Sequence, residues 1–90
     1  MAGNIIKKKI TEEEIARQGI RDWPVWSSEV TTFDWEYGSN ETCYILEGEV
    51  VVHTLDGDEL IQAGDFVTFP RGLKCTWEVR KPIRKHYNFS

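Results

Sequence analysis

Residues 64–75 read GDFVTFPRGLKC, and their spacing indicates the architecture of the chain. Gly64 opens a turn into a short apolar strand, and Pro70 and Gly72 form a corner that ends this strand. Proline cannot donate a hydrogen bond to a sheet ladder, and glycine accepts the geometry of tight turns. Cys75 lies three residues beyond the second glycine. The pattern predicts a corner between two strands of a β-fold.

The sequence on either side of this corner extends the same pattern. From Trp23 onward, short apolar runs are separated by turn signals about every 8–12 residues, which is typical of all-β sandwiches and small barrels. Residues 47–49 and 81–82 are interpreted as breaks between strands. Closure into a barrel is favoured, because an open sheet would expose unpaired backbone edges. We predict strands at 30–37, 41–46, 50–55, 59–62, 66–69, 75–79 and 84–89, after an edge strand that starts at residue 23.

The first residues predict an appendage to this β-fold. Isoleucines flank a lysine triplet in residues 5–10, which we interpret as a short edge strand. Thr11 and Glu14 form a capping box that begins a helix of about two turns with little apolar surface, and Gly19 ends it. A length of 90 residues corresponds to one domain, 1–90. Residues 1–22 form the appendage and residues 23–90 the barrel.

The charge distribution argues against a nucleic-acid partner. Eleven basic and fifteen acidic residues give a net charge of −4, whereas a general nucleic-acid binder needs a basic surface. Basic residues nevertheless cluster near both ends of the chain. We interpret these clusters as solvated strand faces, with an anion site as the alternative. The clustered residues are Lys7, Lys8, Lys9, Arg80, Lys81, Arg84 and Lys85.

The sequence predicts a cytoplasmic protein with reduced cysteines. No apolar run approaches the roughly 20 residues of a membrane span, and the basic start of the chain lacks the apolar block of a secretory signal. Cys43 and Cys75 match neither a zinc-finger spacing nor a Cys-x-x-Cys redox pair. We therefore expect no membrane association and no disulfide.

Two blocks of the sequence resemble the conserved blocks of the cupin superfamily. The second block is Gly64-x5-Pro70-x-Gly72-x2-Cys75-x3-Val79, and the first is Glu41-x6-Gly48. The resemblance implies a single-domain jelly-roll β-barrel. Within cupins, the chain is similar to the cupin half of ureidoglycine aminohydrolase. Four runs carry that closer similarity: WPVW at 23–26, FDWEY at 33–37, NETCYILEG at 40–48 and RKHYN at 84–88.

The same resemblance implies a metal site whose usual ligands are missing here. Cupins commonly bind Mn, Fe, Zn or Ni through three histidines and one glutamate, and only Glu41 matches. The His-x-His positions fall on Trp35 and Tyr37, or with a longer gap on Asp34 and Glu36. The last histidine position is Cys75. We expect no tightly bound metal; if Mn, Fe or Zn does bind, Glu41 and Cys75 are its candidate ligands.

If Glu41 and Cys75 keep the orientation that the cupin resemblance implies, strand alternation places aromatic and thiol side chains in one cavity around Glu41. A buried carboxylate needs a hydrogen-bond partner, and burial would suit it to acid–base chemistry. Cys75 is either a reactive thiol or a packed one. Both histidines, His53 and His86, are expected at wetter strand positions. The candidate catalytic residues are Glu41 and Cys75, and the candidate ligand-binding residues are Trp35, Tyr37, Cys43 and Trp77.

Three functions remain open from the sequence. The first is a cupin that binds a small aromatic or cationic molecule without a metal. The second is an aminohydrolase-like or isomerase-like enzyme that uses Glu41 as acid or base. The third is a structural role through a homodimer, for which the apolar edge residues Ile5, Ile6, Trp23 and Trp26 are candidates.

Overall fold

The computed structural model describes residues 4–89, and it arranges them as seven antiparallel strands with one short helix in the described range. Residues 1–3 and 90, the ends of the predicted 1–90 domain, lie outside the described residues. The elements in chain order are β1 Ile6–Lys9, α1 Glu12–Arg17, a 3₁₀ turn Ile20–Asp22, β2 Val25–Ser28, β3 Thr31–Glu36, β4 Glu41–Thr54, β5 Gly57–Gln62, β6 Asp65–Phe69 and β7 Lys74–Phe89.

Two long strands, β4 and β7, organise the whole sheet. They pair with each other from Glu41 opposite Phe89 to His53 opposite Thr76. The first part of β4 also pairs with β6, and β6 pairs with β1; the second part of β4 pairs with β5. Strand β7 pairs with β3 along its first part and with β2 along its second. The prediction of an all-β fold with a short N-terminal helix is confirmed.

The predicted breaks at residues 47–49 and 81–82 are wrong, because β4 and β7 each run through without a turn. Gly48 forms a β-bulge with a φ of 98°, and the register between the two strands shifts around it. A Cβ atom at Gly48 would lie 2.3 Å from the carbonyl oxygen of Pro82. Glycine therefore permits the close approach of the two strands, and it bends β4 without ending it.

The bulge also changes which residues of β4 point inward. Before it, the odd-numbered residues Glu41, Cys43 and Ile45 are buried, whereas after it Val50 and Val52 take the inward positions. One extra residue in a strand inverts the alternation that follows, because side chains alternate with a period of two. The main core is made of the inward side chains of β4, β5, β6 and β7.

The helix packs against the sheet through a second, smaller hydrophobic core. The Thr11 hydroxyl accepts a hydrogen bond from the Glu14 amide at 3.1 Å, which confirms the predicted cap. Ile15 and Ile20 are fully buried against Phe66. The helix therefore buries more apolar surface than its polar sequence suggests. It is not long and apolar enough to cross a membrane, and no other described helix is.

The corner at residues 70–72 positions Tyr37. Gly72 adopts a φ of 88° and donates its amide to the Tyr37 carbonyl at 2.7 Å. The Tyr37 amide in turn donates to the carbonyl of Leu73 at 3.0 Å. The stretch that predicts the fold thus also fixes the backbone of a residue that lines the cavity described below.

Candidate functional site

An aromatic cavity of about 210 Å³ lies on the inner side of the sheet, beside the ends of β2 and β3. Trp26 of β2 and Phe33 and Trp35 of β3 contribute to one part of its lining. Further aromatic side chains line the rest of it: Tyr37, Trp77, Tyr87 and Phe89. Two charged residues complete the lining, Glu41 and Lys85. We call this site the aromatic pocket.

Strand pairing brings Glu41 and Lys85 together. Glu41 is the first residue of β4, and Lys85 lies opposite Ile45 on the neighbouring strand β7. Because Glu41 and Ile45 are an even number of residues apart, their side chains share a face of the sheet with Lys85. The Lys85 ammonium Nζ contacts the Glu41 carboxylate Oε2 at 2.5 Å, and the two side chains are only 8% and 6% exposed.

The ion pair is embedded between indole rings. Lys85 Nζ lies 4.7 Å from the ring centroid of Trp77 and 5.2 Å from that of Trp26. The faces of aromatic rings attract cations, and this attraction grows when water is excluded. Burial of a charged pair is costly unless its groups are well satisfied. Here the carboxylate and the two indoles together offset the desolvation of the ammonium.

Both members of the pair keep hydrogen-bonding capacity toward the pocket. Within residues 4–89, Lys85 is the one side-chain or backbone donor to the Glu41 carboxylate, and it reaches only Oε2. Every fully buried side-chain oxygen or nitrogen in that range has a hydrogen-bond partner. Because Oε1 of Glu41 has no partner in that range, it is not fully buried, and it is reachable from the cavity. An ammonium carries three donors. The pocket therefore presents an acceptor beside a donor.

Tyr37 and Trp77 form a rigid wall of the pocket. The Trp77 indole Nε1 donates to the Tyr37 hydroxyl at 3.2 Å, and the Tyr37 ring stacks on Phe69 with centroids 4.8 Å apart. Burial, and next the nearby Glu41 carboxylate, raises the pKa of Tyr37 far above its ordinary value. The phenol therefore stays protonated and serves as a neutral hydrogen-bonding group.

Trp35 lies at the mouth of the pocket, although alternation predicts it inside. Its side chain lines the cavity but is 50% exposed. It meets Tyr37 edge-on, with ring centroids 6.4 Å apart. Strand β3 pairs with β7 on one side only in the described residues, and Trp35 sits near the end of that pairing. Few neighbours cover its ring, so Trp35 is placed to contact an incoming molecule.

The two cysteines do not share the cavity with Glu41, contrary to the prediction. Cys43 is fully buried in the core, and Cys75 borders a shallow depression near Asp34 and Thr76. Desolvation raises the pKa of Cys43 to about 12 and that of Cys75 to about 11. Both are therefore thiols at neutral pH, which disfavours nucleophilic and metal-ligand roles. Of six predicted lining residues, the structure joins Trp35, Tyr37, Glu41 and Trp77.

The residues at the expected metal positions do not fit a transition metal. Among residues 4–89, no three His, Cys, Asp or Glu side chains come close enough to hold an ion. Cys75 lies outside the pocket, Tyr37 is a neutral phenol and Trp35 offers no ligand atom. Lys85 already places a positive charge against Glu41, and a second cation there would be repelled.

The histidines divide between the surface and the interior. His53 lies between Glu78 and Asp58, with 2.8 Å contacts to each, and these hydrogen bonds, that to Glu78 foremost, raise the pKa of the imidazole. His86 was predicted on a wetter face, and this is wrong, because it is 8% exposed. Its Nδ1 lies 2.9 Å from the Trp23 carbonyl oxygen, so the chain leading into β2 covers it.

Lys85 lines the aromatic pocket, although the sequence interpretation does not predict it there. It belongs to a basic cluster that we interpreted as a solvated strand face. Alternation along β7 indicates its inward position, because Lys85 lies two residues from the buried Ile83, whereas Arg84 between them is exposed. A lysine at an inward position of a strand is a candidate for a buried amine, and the cupin metal-ligand pattern contains no lysine.

Comparison with known proteins supports the fold and identifies relatives. Residues 15–87 match the family of EutQ-like cupin domains. A DUF861 family protein from Thermotoga maritima is 50% identical over 97% of this chain and 100% of its own, with a TM-score of 0.94. No curated protein matches the chain significantly.

More distant structures share the fold over part of their length. A DUF861 family protein of unknown function from Pseudomonas syringae is 28% identical over 70% of this chain and 28% of its own, with a TM-score of 0.64. The EutQ protein of Clostridium difficile is 20% identical over 92% of this chain and 64% of its own, with a TM-score of 0.66. Likeness at this last level shows the fold alone.

Proposed function

The chain belongs to the family of EutQ-like cupin domains, and we propose that it binds a small, planar, neutral molecule in the aromatic pocket. The observation that carries this proposal is the buried Glu41–Lys85 pair, which lines the cavity and keeps an acceptor and a donor available. Ligand pockets typically combine apolar walls with a few convergent polar groups. The aromatic pocket has this composition.

The size of the cavity limits the ligand to about a single ring. Its volume of about 210 Å³ is smaller than the roughly 300–1,000 Å³ of pockets for drug-sized ligands. Phe33 and Trp77 stack with ring centroids 6.1 Å apart and an interplanar angle of 19°, so their ring planes are nearly parallel. A planar ring suits such walls, because aromatic groups pack in offset or edge-to-face arrangements.

The polar groups favour an amide. A ligand carbonyl oxygen is a partner for the Lys85 ammonium, and an adjacent N–H is a partner for Oε1 of Glu41. The pair is neutral overall. A cationic ligand would therefore compete with Lys85 for the Glu41 carboxylate, and an anionic ligand would compete with Glu41 for the Lys85 ammonium. The cationic ligand expected from the sequence is therefore disfavoured by Lys85. We propose neutral aromatic or cyclic amides as the ligand class.

Binding can be tested by tryptophan fluorescence with benzamide as the probe. Three of the four tryptophans, Trp26, Trp35 and Trp77, line the pocket, so saturable quenching is expected. Lys85→Met should weaken binding about tenfold, since one charge-assisted hydrogen bond is lost. Leu55→Ala, at a fully exposed turn, is the matched control and should bind as the wild type does. Absence of saturable quenching would contradict the proposal.

A second candidate function is an enzyme that uses Glu41 as acid or base, similar to an aminohydrolase or an isomerase. The direct contact between the Lys85 ammonium and the Glu41 carboxylate supports it, because a proton can pass between them. The similarity to ureidoglycine aminohydrolase stays part of this proposal. Ammonia release from small amides by the wild type, lost in Glu41→Gln, would favour the enzyme. Binding of the same amides without turnover would favour the first proposal.

A homodimer is also proposed, through edge residues that differ in part from the predicted ones. Ile5 and Trp26 pack against the main core, and Trp23 packs against the second core, so these three are engaged within the chain. Ile6 remains 62% exposed on β1, and Val25 46% exposed on β2. Contacts between copies at these strand edges would cover them. Sedimentation of a monomer at high protein concentration would contradict the dimer.

A cytoplasmic location remains a proposal as well. Cys43 and Cys75 are both free thiols, and proteins of oxidising compartments commonly use cysteines in disulfides. Fractionation of cells that express the chain tests it. Recovery with the cytosolic markers is expected, and recovery outside the cytosol would contradict it.

A further inference from the structure

We infer that Lys85 captures small aromatic aldehydes as an imine inside the aromatic pocket. The inference rests on the proposed function, because the same walls that accept a planar amide must accept the aldehyde. It goes further in assigning a covalent activity to a buried amine. Three features carry it: the position of the Lys85 amine on the cavity, its contact with Glu41, and the indoles around it.

The surroundings of Lys85 differ from those of the other ion-paired lysines. Lys9 contacts the Asp65 carboxylate at 2.6 Å, but its side chain is 68% exposed. Lys7 contacts Glu59 at 3.1 Å and is 34% exposed. Only Lys85, among the described lysines, combines a carboxylate with a lining position in the aromatic pocket. An aldehyde held there meets the amine at high effective concentration.

Glu41 can handle every proton that the reaction moves. It first takes a proton from the Lys85 ammonium, which frees the nitrogen lone pair. The nitrogen attacks the carbonyl carbon, a C–N bond forms, and the carbonyl oxygen receives the proton back from Glu41. Glu41 then takes a second proton from the nitrogen and delivers it to the hydroxyl, which leaves as water while the C=N bond forms. The net change is ammonium plus aldehyde to protonated imine plus water.

The charge at Nζ is the same before and after the reaction. Both the ammonium and the protonated imine are cations, so the attraction to Glu41 and to the faces of Trp26 and Trp77 is retained. An imine on an exposed lysine has no such enclosure and is open to hydrolysis by bulk water. The pocket therefore holds the cation equally well before and after the reaction, and it protects the adduct from bulk water.

Reductive trapping tests the inference. The protein is mixed with an equimolar amount of benzaldehyde and sodium cyanoborohydride, which converts the imine into a stable benzylamine, and each lysine is quantified by peptide mass spectrometry. Benzylation at Lys85 is expected to exceed that at Lys9 by about tenfold or more. Lys9 is the matched control, because it has a carboxylate partner but no aromatic enclosure. Labelling of Lys85 at or below the level of Lys9 would overturn the inference.

Two further measurements separate this inference from the proposed function. Glu41→Gln should lower Lys85 labelling to the level of Lys9 without changing Lys9, with circular dichroism to confirm folding. If that variant does not fold, excess benzamide on the wild-type protein replaces it, and it should protect Lys85 alone. Benzamide binding without preferential Lys85 labelling overturns the inference and leaves the proposed function. Preferential labelling of Lys85 with no benzamide binding supports the inference and contradicts the proposed amide site. Preferential labelling that bound benzamide does not reduce overturns capture inside the aromatic pocket.

Discussion

The two halves of the β4–β7 pair, on either side of Gly48, have opposite character. Beyond the bulge, Val50, Val52 and Val79 are buried in an apolar core that is closed by β5. Before the bulge, Glu41 and Lys85 put a charged pair at the same inward positions, and the space beside them is open as the aromatic pocket. The half beyond the bulge is apolar at its inward positions, whereas the half before it combines the buried Cys43 and Ile45 with a charged pair that lines the aromatic pocket. Trp77, which pairs with Val52 beyond the bulge, also forms part of the pocket wall.

The closed half and the charged pair of the open half contribute differently to the stability of the fold. The closed half gains free energy from apolar area removed from water. In the open half, the attraction between the two buried charges largely offsets their desolvation, so this charged pair contributes little net stability. Substitutions in the closed half should therefore mainly lower the free energy of unfolding. Substitutions of the charged pair in the open half should mainly weaken ligand binding.

The largest effect is expected at the boundary between the halves. Gly48→Ala should lower the free energy of unfolding by about 4 kcal/mol, because a Cβ there meets the Pro82 backbone at 2.3 Å and the φ of 98° is strained for alanine. Urea denaturation measures the change. Gly38→Ala is the control, since nothing lies within 4 Å of its Cβ. Equal stability of both variants would contradict the close strand approach.

The closed half should respond next most strongly. Ile61→Ala on β5 removes a fully buried side chain and should cost about 3 kcal/mol in the free energy of unfolding. Its neighbour Leu60 is 44% exposed, so Leu60→Ala should cost less than about 1 kcal/mol. Thermal or urea unfolding of the two variants measures this difference in stability. Benzamide affinity should be unchanged in both, and a loss of affinity in Ile61→Ala would show that the two halves are not separate.

The open half should lose less stability and more binding. Lys85→Met leaves Glu41 without its partner, which should cost about 2 kcal/mol, less than for a sealed site because the cavity admits water. Adding Glu41→Gln should restore part of this loss, since no unpaired charge remains. Urea unfolding of the two single variants and the double variant measures the coupling. Additive losses would contradict an energetically coupled pair.

The smallest effect is a pH dependence at the surface, in the closed half. Hydrogen bonds to Glu78 and Asp58 raise the pKa of His53 above 6.5, and the His53 contact lowers the pKa of Glu78 below 4.5. A raised histidine pKa stabilises the fold below 6.5 and loses that contribution as the pH rises through the folded value. The lowered pKa of the Glu78 carboxyl stabilises the fold above pH 4.5, and this stabilisation is lost as the pH falls through the folded value. Both contributions are therefore fully present between pH 4.5 and 6.5.

Thermal unfolding of the wild type and His53→Gln across this range tests the linkage. The difference between their melting temperatures should be largest between pH 4.5 and 6.5 and should shrink on the alkaline side. A difference that stays constant from acid to alkaline pH would contradict protonation of His53 in the folded protein.

Much of the fold was predictable from local patterns in the sequence. The Pro70–Gly72 corner and the Thr11 cap depend on residues close in sequence, and both are present. The continuity of β4 and β7 was not predictable in the same way. Gly48 and Pro82 look like strand ends in isolation, and only their mutual contact shows that they bend two paired strands. That contact joins residues distant in the chain.

The candidate site was predictable in part for a related reason. The cupin orientation of Glu41 and Cys75, extended by alternation along each strand, predicts Tyr37, Glu41 and Trp77 in one cavity, and all three line it. Cys75 does not line the pocket, although it pairs with Trp35, which does. The sequence does not indicate that Lys85 lies there, because its partner Glu41 is on a neighbouring strand and a charged side chain is expected to face solvent.

Binding of a planar amide in the aromatic pocket can be followed through the indole N–H signals of the four tryptophans. In a two-dimensional ¹H–¹⁵N spectrum titrated with benzamide, we expect saturable shifts of Trp26 and Trp77, which line the pocket. Trp23, which packs against the second core instead, should not shift. Unchanged Trp26 and Trp77 signals, or an equal shift of Trp23, would show that benzamide does not bind in the pocket.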